Sequence, residues 1–359
     1  MSTAPEGRID VVLVRRGGRV ASVDIRSSRP QLARRFMAGR TPGEAAELAG
    51  LIFSLCGQAQ RTAVQAACLA ARGGGDAPWD PTPVRMELAR EHAWRLLLDW
   101  PREAGLAPDM NNLLTLRQVP PDQFATALET LLRETLLGEP PSVWLARDAA
   151  GLQDWCRHGG SQTARLFARF GEVPDTGIST APPLPSLAGW DERMATTLAR
   201  RAMDEGDFCA RPDWQGETAE TGALTRVWHQ PPMAAWLSRH GRGLGARLLA
   251  RLVELALLPR QLSQDSDSPT IRAWSPWQGT GMAGVETSRG LLFHVVRLKG
   301  GRVEDYRILA PTEWNFHPSG PLAQALQSLP PGPNLESRAR LVTRSLDPCV
   351  DFGVEWRDA

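Results

Sequence analysis

The sequence predicts a mainly helical α+β protein with small antiparallel sheets near both termini. Two apolar, β-branched runs, 9–14 and 19–25, flank Gly17-Gly18, and 291–298 and 302–309 alternate around Gly300-Gly301, so a hairpin is expected near each end. Between them the chain carries helix-forming segments broken by Gly- and Pro-rich stretches.

Taken in order, 31–40 reads as a short helix. A second opens at RTPGEAAELAG, where Thr41 caps, Pro42 suits the first helical position and Glu44 completes a capping box. Small and apolar residues carry it to about residue 71, where RGGGDAP stops it. Nearly every face of 51–71 is apolar or small, so this helix is expected in the middle of a bundle. Helices follow at 84–99, 121–137, 143–157 and 162–170. The stretch 172–190 is Pro-rich and aperiodic, and is expected to cross the surface. Helices resume at 191–205 and 245–261, SQDSDSP is a polar break, and two short helices near 321–329 and 335–344 lead to the tail. No internal repeat is present. One domain is expected: hairpin and lead-in helix over 1–40, bundle over 41–171, connection 172–190, further helices over 191–283, and hairpin with docked tail over 284–359.

With 359 residues the chain can bury a large core, and its 41 Lys and Arg against 40 Asp and Glu give a net charge of +1. That balance removes the electrostatic argument for nucleic acid or an anionic membrane. No apolar run reaches 18 residues, and the first twenty residues lack the order of a signal peptide, so a soluble cytoplasmic protein is expected. Five widely spread cysteines without C-x-x-C fit neither a disulfide framework nor a structural zinc site. Thirteen Trp against one Tyr predict a Trp-rich core, without a functional meaning.

Local motifs say little about chemistry. Cys56, in FSLCGQAQ, reads as a mid-helix thiol on a buried stretch, where cysteine usually acts as a small hydrophobe. Cys349 follows Asp347-Pro348, and that pattern leaves it open between a turn thiol and a ligand. Cys68, Cys156 and Cys209 have no distinctive flanks. The six His show no metal spacing, His294 reads as a core histidine, and no phosphate loop, dinucleotide fingerprint or nucleophile elbow occurs.

Three separated stretches nevertheless resemble the large subunit of nickel–iron hydrogenases. RRFMAGRTPGEAAELAGLIFSLCGQAQRTA follows the layout of that family's R-x-C-x-x-C-x-x-x-H helix and the G-R segment before it. ETSRGLLFHVVRLKGGRVEDYRILAPTEWNFHPSGPLAQAL resembles its E-A-P-R-G-x-L-x-H hairpin and the following P-T-x-W-N-x-x-P, through Glu286, Arg289, Gly290, His294, Pro311, Thr312, Trp314 and Asn315. The tail resembles D-P-C-x-x-C-x-x-H. The resemblance implies a large-subunit-like helical bundle.

The departures carry the functional expectation. Leu51 stands at the arginine position of the helix motif, Phe53 at the first cysteine and Gln60 at the histidine, with Cys56 at the second cysteine. In the tail Cys349 takes the first cysteine position, while Phe352 and Glu355 replace the second cysteine and the histidine. Arg34 falls near an acidic position that helps hold a second, hard cation in the family. The family uses four thiolates for nickel and for iron bearing cyanide and carbon monoxide; two are missing here, so no hydrogen-activating centre and no enzyme activity are expected.

Within this resemblance the chain is most similar to the hydrogenase expression/formation proteins of the HupK and HoxV type, accessory proteins of hydrogenase maturation. That likeness implies a scaffold holding the iron–cyanide–carbonyl moiety between Cys56 and Cys349, with nickel not expected. Arg289, Pro311 and Thr312 would line the diatomic-ligand pocket. Implied partners are a HypC-type chaperone, an iron-cofactor assembly protein and the large-subunit precursor. The alternative is a metal-free interaction protein that chaperones or mimics the large subunit.

Overall fold

The computed structural model describes residues 7–28, 33–75, 77–170, 176–263 and 269–359. Strands β1 (Arg8–Arg16) and β2 (Arg19–Ser27) form the expected hairpin, and both Gly17 and Gly18 take positive φ (57° and 75°), as a two-residue turn requires. Along β1 the alternate residues Ile9, Val11 and Leu13 are fully buried. A strand from the tail (Asp351–Asp358) pairs with the other edge of β1, in parallel, from Arg8 opposite Asp351 to Arg15 opposite Asp358. This three-stranded sheet is therefore mixed and joins the two ends of the described chain, whereas antiparallel sheets were expected. Pairing on both edges satisfies backbone groups of β1 that the hairpin alone leaves open.

The second sheet has four antiparallel strands, β3 (Ile271–Trp277), β4 (Thr280–Thr287), β5 (Gly290–Lys299) and β6 (Arg302–Leu309), in that order. The tail strand is accordingly β7. The sequence revealed β5 and β6 but not β3 and β4. Every residue of β4, TGMAGVET, is buried, so no alternation marks it. Helix Gly57–Ala70 lies on β4 so closely that a Cβ on Gly281 would stand 2.0 Å from the Ala67 carbonyl oxygen. Ala63, Ala66, Ala67 and Ala70, all buried, give that helix the thin face this approach needs.

Helix Leu244–Ser263 runs through the main core, buried along most of its length, with Phe124, Leu128, Trp100 and Trp144 among its fellow core residues. Trp100, Trp144, Trp190 and Trp314 are fully buried; the Trp190 indole donates to the Pro185 carbonyl at 2.9 Å, and the buried Trp155 to that of Leu137 at 2.9 Å. Helices Thr82–Trp94 and Pro121–Leu131 each pass into a wider turn, Arg95–Asp99 and Leu132–Leu136.

Other expectations need correction. The helix at 143–157 is two, Pro141–Leu145 and Ala149–His158, because Asp148 turns its carboxylate onto the Gly151 N–H at 2.8 Å and starts a new helix. The short helix at 31–40 is Ala33–Met37, with 31 and 32 outside the described residues. The described part of the 172–190 connection lies only partly on the surface: Ser179, Ala181, Leu184, Leu187 and Trp190 are buried, between exposed residues such as Ile178, Pro182, Pro183 and Ala188. Its backbone is satisfied inside, Leu184 N–H by the Glu220 carbonyl (2.8 Å) and Leu187 N–H by the Glu286 carboxylate (2.7 Å).

Candidate metal centre

The helix expected over 41–71 is broken just before Cys56. Thr41 and Glu44 form the capping box of Pro42–Ile52; Phe53 ends that helix, Ser54–Cys56 make one tight turn, and Gly57–Ala70 begins anew. Cys56 is thus the N-terminal boundary residue of a helix, not a mid-helix residue. Two contacts explain the break. The backbones of Gly50 and Gly57 touch, so that a Cβ on Gly57 would stand 2.8 Å from the Gly50 oxygen. Glu87, from helix Thr82–Trp94, accepts hydrogen bonds from the Gln58 and Ala59 N–H groups at 2.7 and 3.1 Å, and so occupies donors that a helix start leaves unmet. The break also turns Leu51 (74% exposed) and Leu55 (40%) outward, against the expectation of a helix buried on all faces.

The Cys56 thiol receives a long contact from the Gln60 amide (Nε2 to Sγ, 3.6 Å). Burial pushes it up to about 12, with Arg289 opposing, so an empty site holds a protonated thiol. Burial also pushes the nearby Glu87 carboxyl up to about 7, against its two N–H bonds and with help from Glu91.

Cys349 comes from the opposite end of the chain. After helix Leu335–Ser345, Asp347 adopts a left-handed conformation (φ 53°) and Pro348 leads to Cys349 and β7. The Asp347 carboxylate is buried among three guanidinium groups: Arg95 at 2.8 Å, Arg251 at 3.7 Å and Arg289 at 3.9 Å. Burial alone would raise its pKa, but Arg95, Arg289 and Arg251 hold the carboxyl well below the usual carboxylate range. The Cys349 sulfur lies 3.1 Å from Thr312 Oγ1, on the short buried helix Pro311–Asn315. Pro311 begins that helix and fixes the entrance to Thr312.

Arg289 joins the two sides. It projects from the β4–β5 turn, which Gly290 permits at φ 134°, where a Cβ would strike Thr221 at 2.6 Å. Its Nη2 donates to Glu91 at 2.9 Å, while Nε and Nη1, both buried, have no hydrogen-bond partner among the described residues. Both cysteines lie close enough for their charge to act on Arg289, and Cys349 acts on Cys56. Two thiols, the Thr312 hydroxyl and a guanidinium with unused donors therefore share one buried locus. Gln60 Oε1 and Asp347 Oδ2 are likewise buried without a hydrogen-bond partner among the described residues, although Asp347 Oδ2 faces Arg251 at 3.7 Å.

The replaced positions add no ligand. Phe53 and Phe352 are partly buried hydrophobic residues packed against the cores, and Glu355 is exposed and pairs with Arg357 at 3.0 Å. Arg34 is largely exposed and pairs with Asp305 at 3.1 Å. His294 is a fully buried core histidine bonded to the Tyr306 hydroxyl, and burial pushes it down to about 3. Among the described residues no group of three or more His, Cys, Asp or Glu is arranged to hold a metal. Two soft sulfurs cannot enclose a bare tetrahedral cation, but they suit a metal that brings most of its own ligands.

Sequence reasoning missed the charged surroundings: Glu87, Glu91, Arg95, Arg251 and, as their centre, Asp347. Only Asp347 carried a signal, through its place in Asp-Pro-Cys; the others sit within helical segments, where the sequence does not mark a charge that will be buried.

Comparison with known proteins shows the family and the fold. The family described as nickel-dependent hydrogenase matches residues 233–354. The chain is 35% identical to the hydrogenase expression/formation protein HoxV of Cupriavidus necator, over 93% of both chains. It is 32% identical to HupK of Rhizobium leguminosarum bv. viciae, covering 98% of this chain and 96% of that one. Among solved structures, the Ni-Fe-Se hydrogenase of D. vulgaris Hildenborough superimposes with a TM-score of 0.59 over 94% of this chain and 95% of its own, at 16% identity. At that identity the likeness is one of fold, and the fold is that of a nickel–iron hydrogenase large subunit. No helix among the described residues is long and apolar enough to cross a membrane.

Proposed function

This chain belongs to the hydrogenase expression/formation proteins of the HoxV and HupK type, and on that footing we propose that it is a non-catalytic scaffold of hydrogenase maturation. Its cargo is an iron ion carrying cyanide and carbon monoxide, held between Cys56 and Cys349 and then passed to the hydrogenase large subunit. One observation carries this reading: two half-buried thiols from opposite ends of the chain lie near one arginine with unused donors, and among the described residues no third His, Cys, Asp or Glu ligand joins them.

The chemistry follows from the residues. Iron saturated by diatomic ligands has few positions left, and two thiolates can fill them. Both thiols must lose their protons to bind, so the metal itself drives the ionisation of Cys56. Arg289 Nε and Nη1 and the Thr312 hydroxyl supply donors of the kind that cyanide nitrogen accepts, with Pro311 holding Thr312 in place. Two protein bonds rather than four favour release. Phe53 and Phe352 leave nickel without terminal sulfurs, so nickel is not expected to join. The cytoplasm, a HypC-type chaperone, an iron-cofactor assembly protein and the large-subunit precursor complete the proposal.

A second reading keeps the fold without the metal, as a chaperone or mimic of the large subunit. The high pKa of Cys56 favours it, since an inert packed thiol has the same property. Infrared spectroscopy decides between them, on protein purified anaerobically from cells with the maturation machinery, with iron content measured alongside. Cyanide and carbonyl bands lost in both Cys56→Ala and Cys349→Ala are the result expected of a two-thiol scaffold. Iron-free protein without bands that still recovers its partner complex points to the metal-free chaperone.

A further inference from the structure

Helices Thr82–Trp94 and Met110–Gln118 each bear an arginine that meets no carboxylate within ion-pairing distance among the described residues. Arg90 lies over the Phe124 ring (5.0 Å) and Arg117 over the Trp94 ring (4.9 Å). Arg90 makes one long hydrogen bond, from Nη2 to the Val119 carbonyl at 3.4 Å, and its Nε makes none. Burial lowers the pKa of Arg90 and the charge of Arg117 lowers it further, with Glu87 one turn away offsetting part of this. The two guanidinium groups are therefore neighbouring like charges with no acid in ion-pairing contact among the described residues, Glu87 acting on Arg90 only from further off. Other arginines do meet an acid, as Arg147 meets Glu139 (2.6 Å) and Arg201 meets Asp213 (2.8 Å).

Apolar surface surrounds the pair. Leu114 is 46% and Met110 43% exposed, and Trp94 is partly exposed. Guanidinium groups laid flat on rings keep part of their fork free, and are already ordered before anything binds. Uncompensated positive charge beside large apolar side chains is the complement of a protein segment that carries carboxylates next to apolar residues. Nucleic acid fits less well, since it would meet apolar surface and a chain with a net charge of only +1. The surface also has a direction. Glu87, Arg90 and Trp94 follow at helical spacing along one helix, and Glu87 caps the helix that starts at Cys56.

We propose that Arg90, Trp94, Leu114 and Arg117 form a docking surface for an acidic, amphipathic segment of a partner protein, seated beside the two-cysteine locus. The inference goes beyond the metal-holding reading and does not depend on it, because a metal-free chaperone needs such a surface equally.

The test uses the full chain, with Leu114 replaced by photoreactive p-benzoylphenylalanine, irradiated in cells producing the hydrogenase maturation proteins. The same probe at the exposed Val143 serves as control. The expected result is an adduct specific to position 114 whose partner peptide carries Asp or Glu beside apolar residues. The partner so found is then purified and titrated against the unsubstituted chain. Arg90→Glu with Arg117→Glu is expected to weaken binding by at least about tenfold without lowering the melting temperature, and Lys at the partner's acidic positions to restore it. Raising the salt should weaken the unsubstituted pair. Absence of an adduct at 114, a peptide without carboxylates, or an affinity unmoved by the double charge reversal would each overturn the proposal.

Discussion

The two cysteines are held by opposite means. Cys56 is fixed by packing: the Gly50–Gly57 backbone contact, the Glu87 cap and an alanine-faced helix pressed on β4. Cys349 is fixed by charge on one side and by a surface strand on the other, between the arginine-bound Asp347 and the edge strand β7. A thiol held by packing has one position. The position of Cys349 depends on groups that can be changed one at a time, so the difference can be tested there.

Removing the charge centre should have the largest effect. Asp347→Ala leaves Arg95, Arg251 and Arg289 buried without their shared acid, and a loss on the order of 3–5 kcal/mol in denaturant unfolding is expected. A loss near zero would show that Cys349 is not held by charge at all.

Next comes Glu87. Its folded-state pKa of about 7 lies above the ordinary 4.5, so between these values the folded chain holds a proton that the unfolded chain has released. Stability from this group is then highest below pH 4.5 and declines as pH rises towards 7, by about 3 kcal/mol in all. Midpoints of denaturant unfolding across that range should lose this slope in Glu87→Gln. A slope that persists belongs to other carboxylates, and the cap on the Cys56 side then carries no such penalty.

Gly57→Ala sharpens the packing side. Its new methyl meets backbone at 2.8 Å, which cannot rotate away, and a cost of about 1–3 kcal/mol is expected, together with lost metal uptake at Cys56. If stability falls and infrared bands stay, the helix break is structural only.

The smallest effect is expected from Arg15→Ala or Asp358→Ala. Their bond at 2.8 Å ties β7 to β1 but faces solvent, so the melting temperature should stay within error. A measurable drop would make the tail strand a stronger clasp than its exposure suggests.

How far the sequence could be read follows the same division. The capping box at Thr41 and Glu44 and the Gly17-Gly18 turn are local signals, and each stands where its residues say. The helix break before Cys56 was hidden because its causes lie elsewhere: Gly57 matters only through Gly50, and Glu87 is 31 positions from Cys56. Strand β4 was hidden because burial on both faces erases alternation. Of the site, Cys56, Cys349, Arg289 and Thr312 were named from family motifs alone, and the structure brings them to one locus, with Pro311 beside Thr312. Arg95 and Arg251, the other two arginines around Asp347, could not be named, because a buried ion pair and a solvated one use the same letters.

The parallel pairing of β1 with β7 has a consequence for synthesis. Arg15 and Asp358 are 343 positions apart, yet one strand lies directly beside the other. While the ribosome is still adding residues, the β1–β2 hairpin can form, and Cys56 can settle against its helix. One edge of β1 stays open until β7 has been made, and a growing chain is exposed to wrong strand partners for that time. Cys349 is delivered with the strand that closes this edge, so the two-thiol locus is complete only when the sheet is. A nascent chain that has not reached Cys349 cannot present both sulfurs.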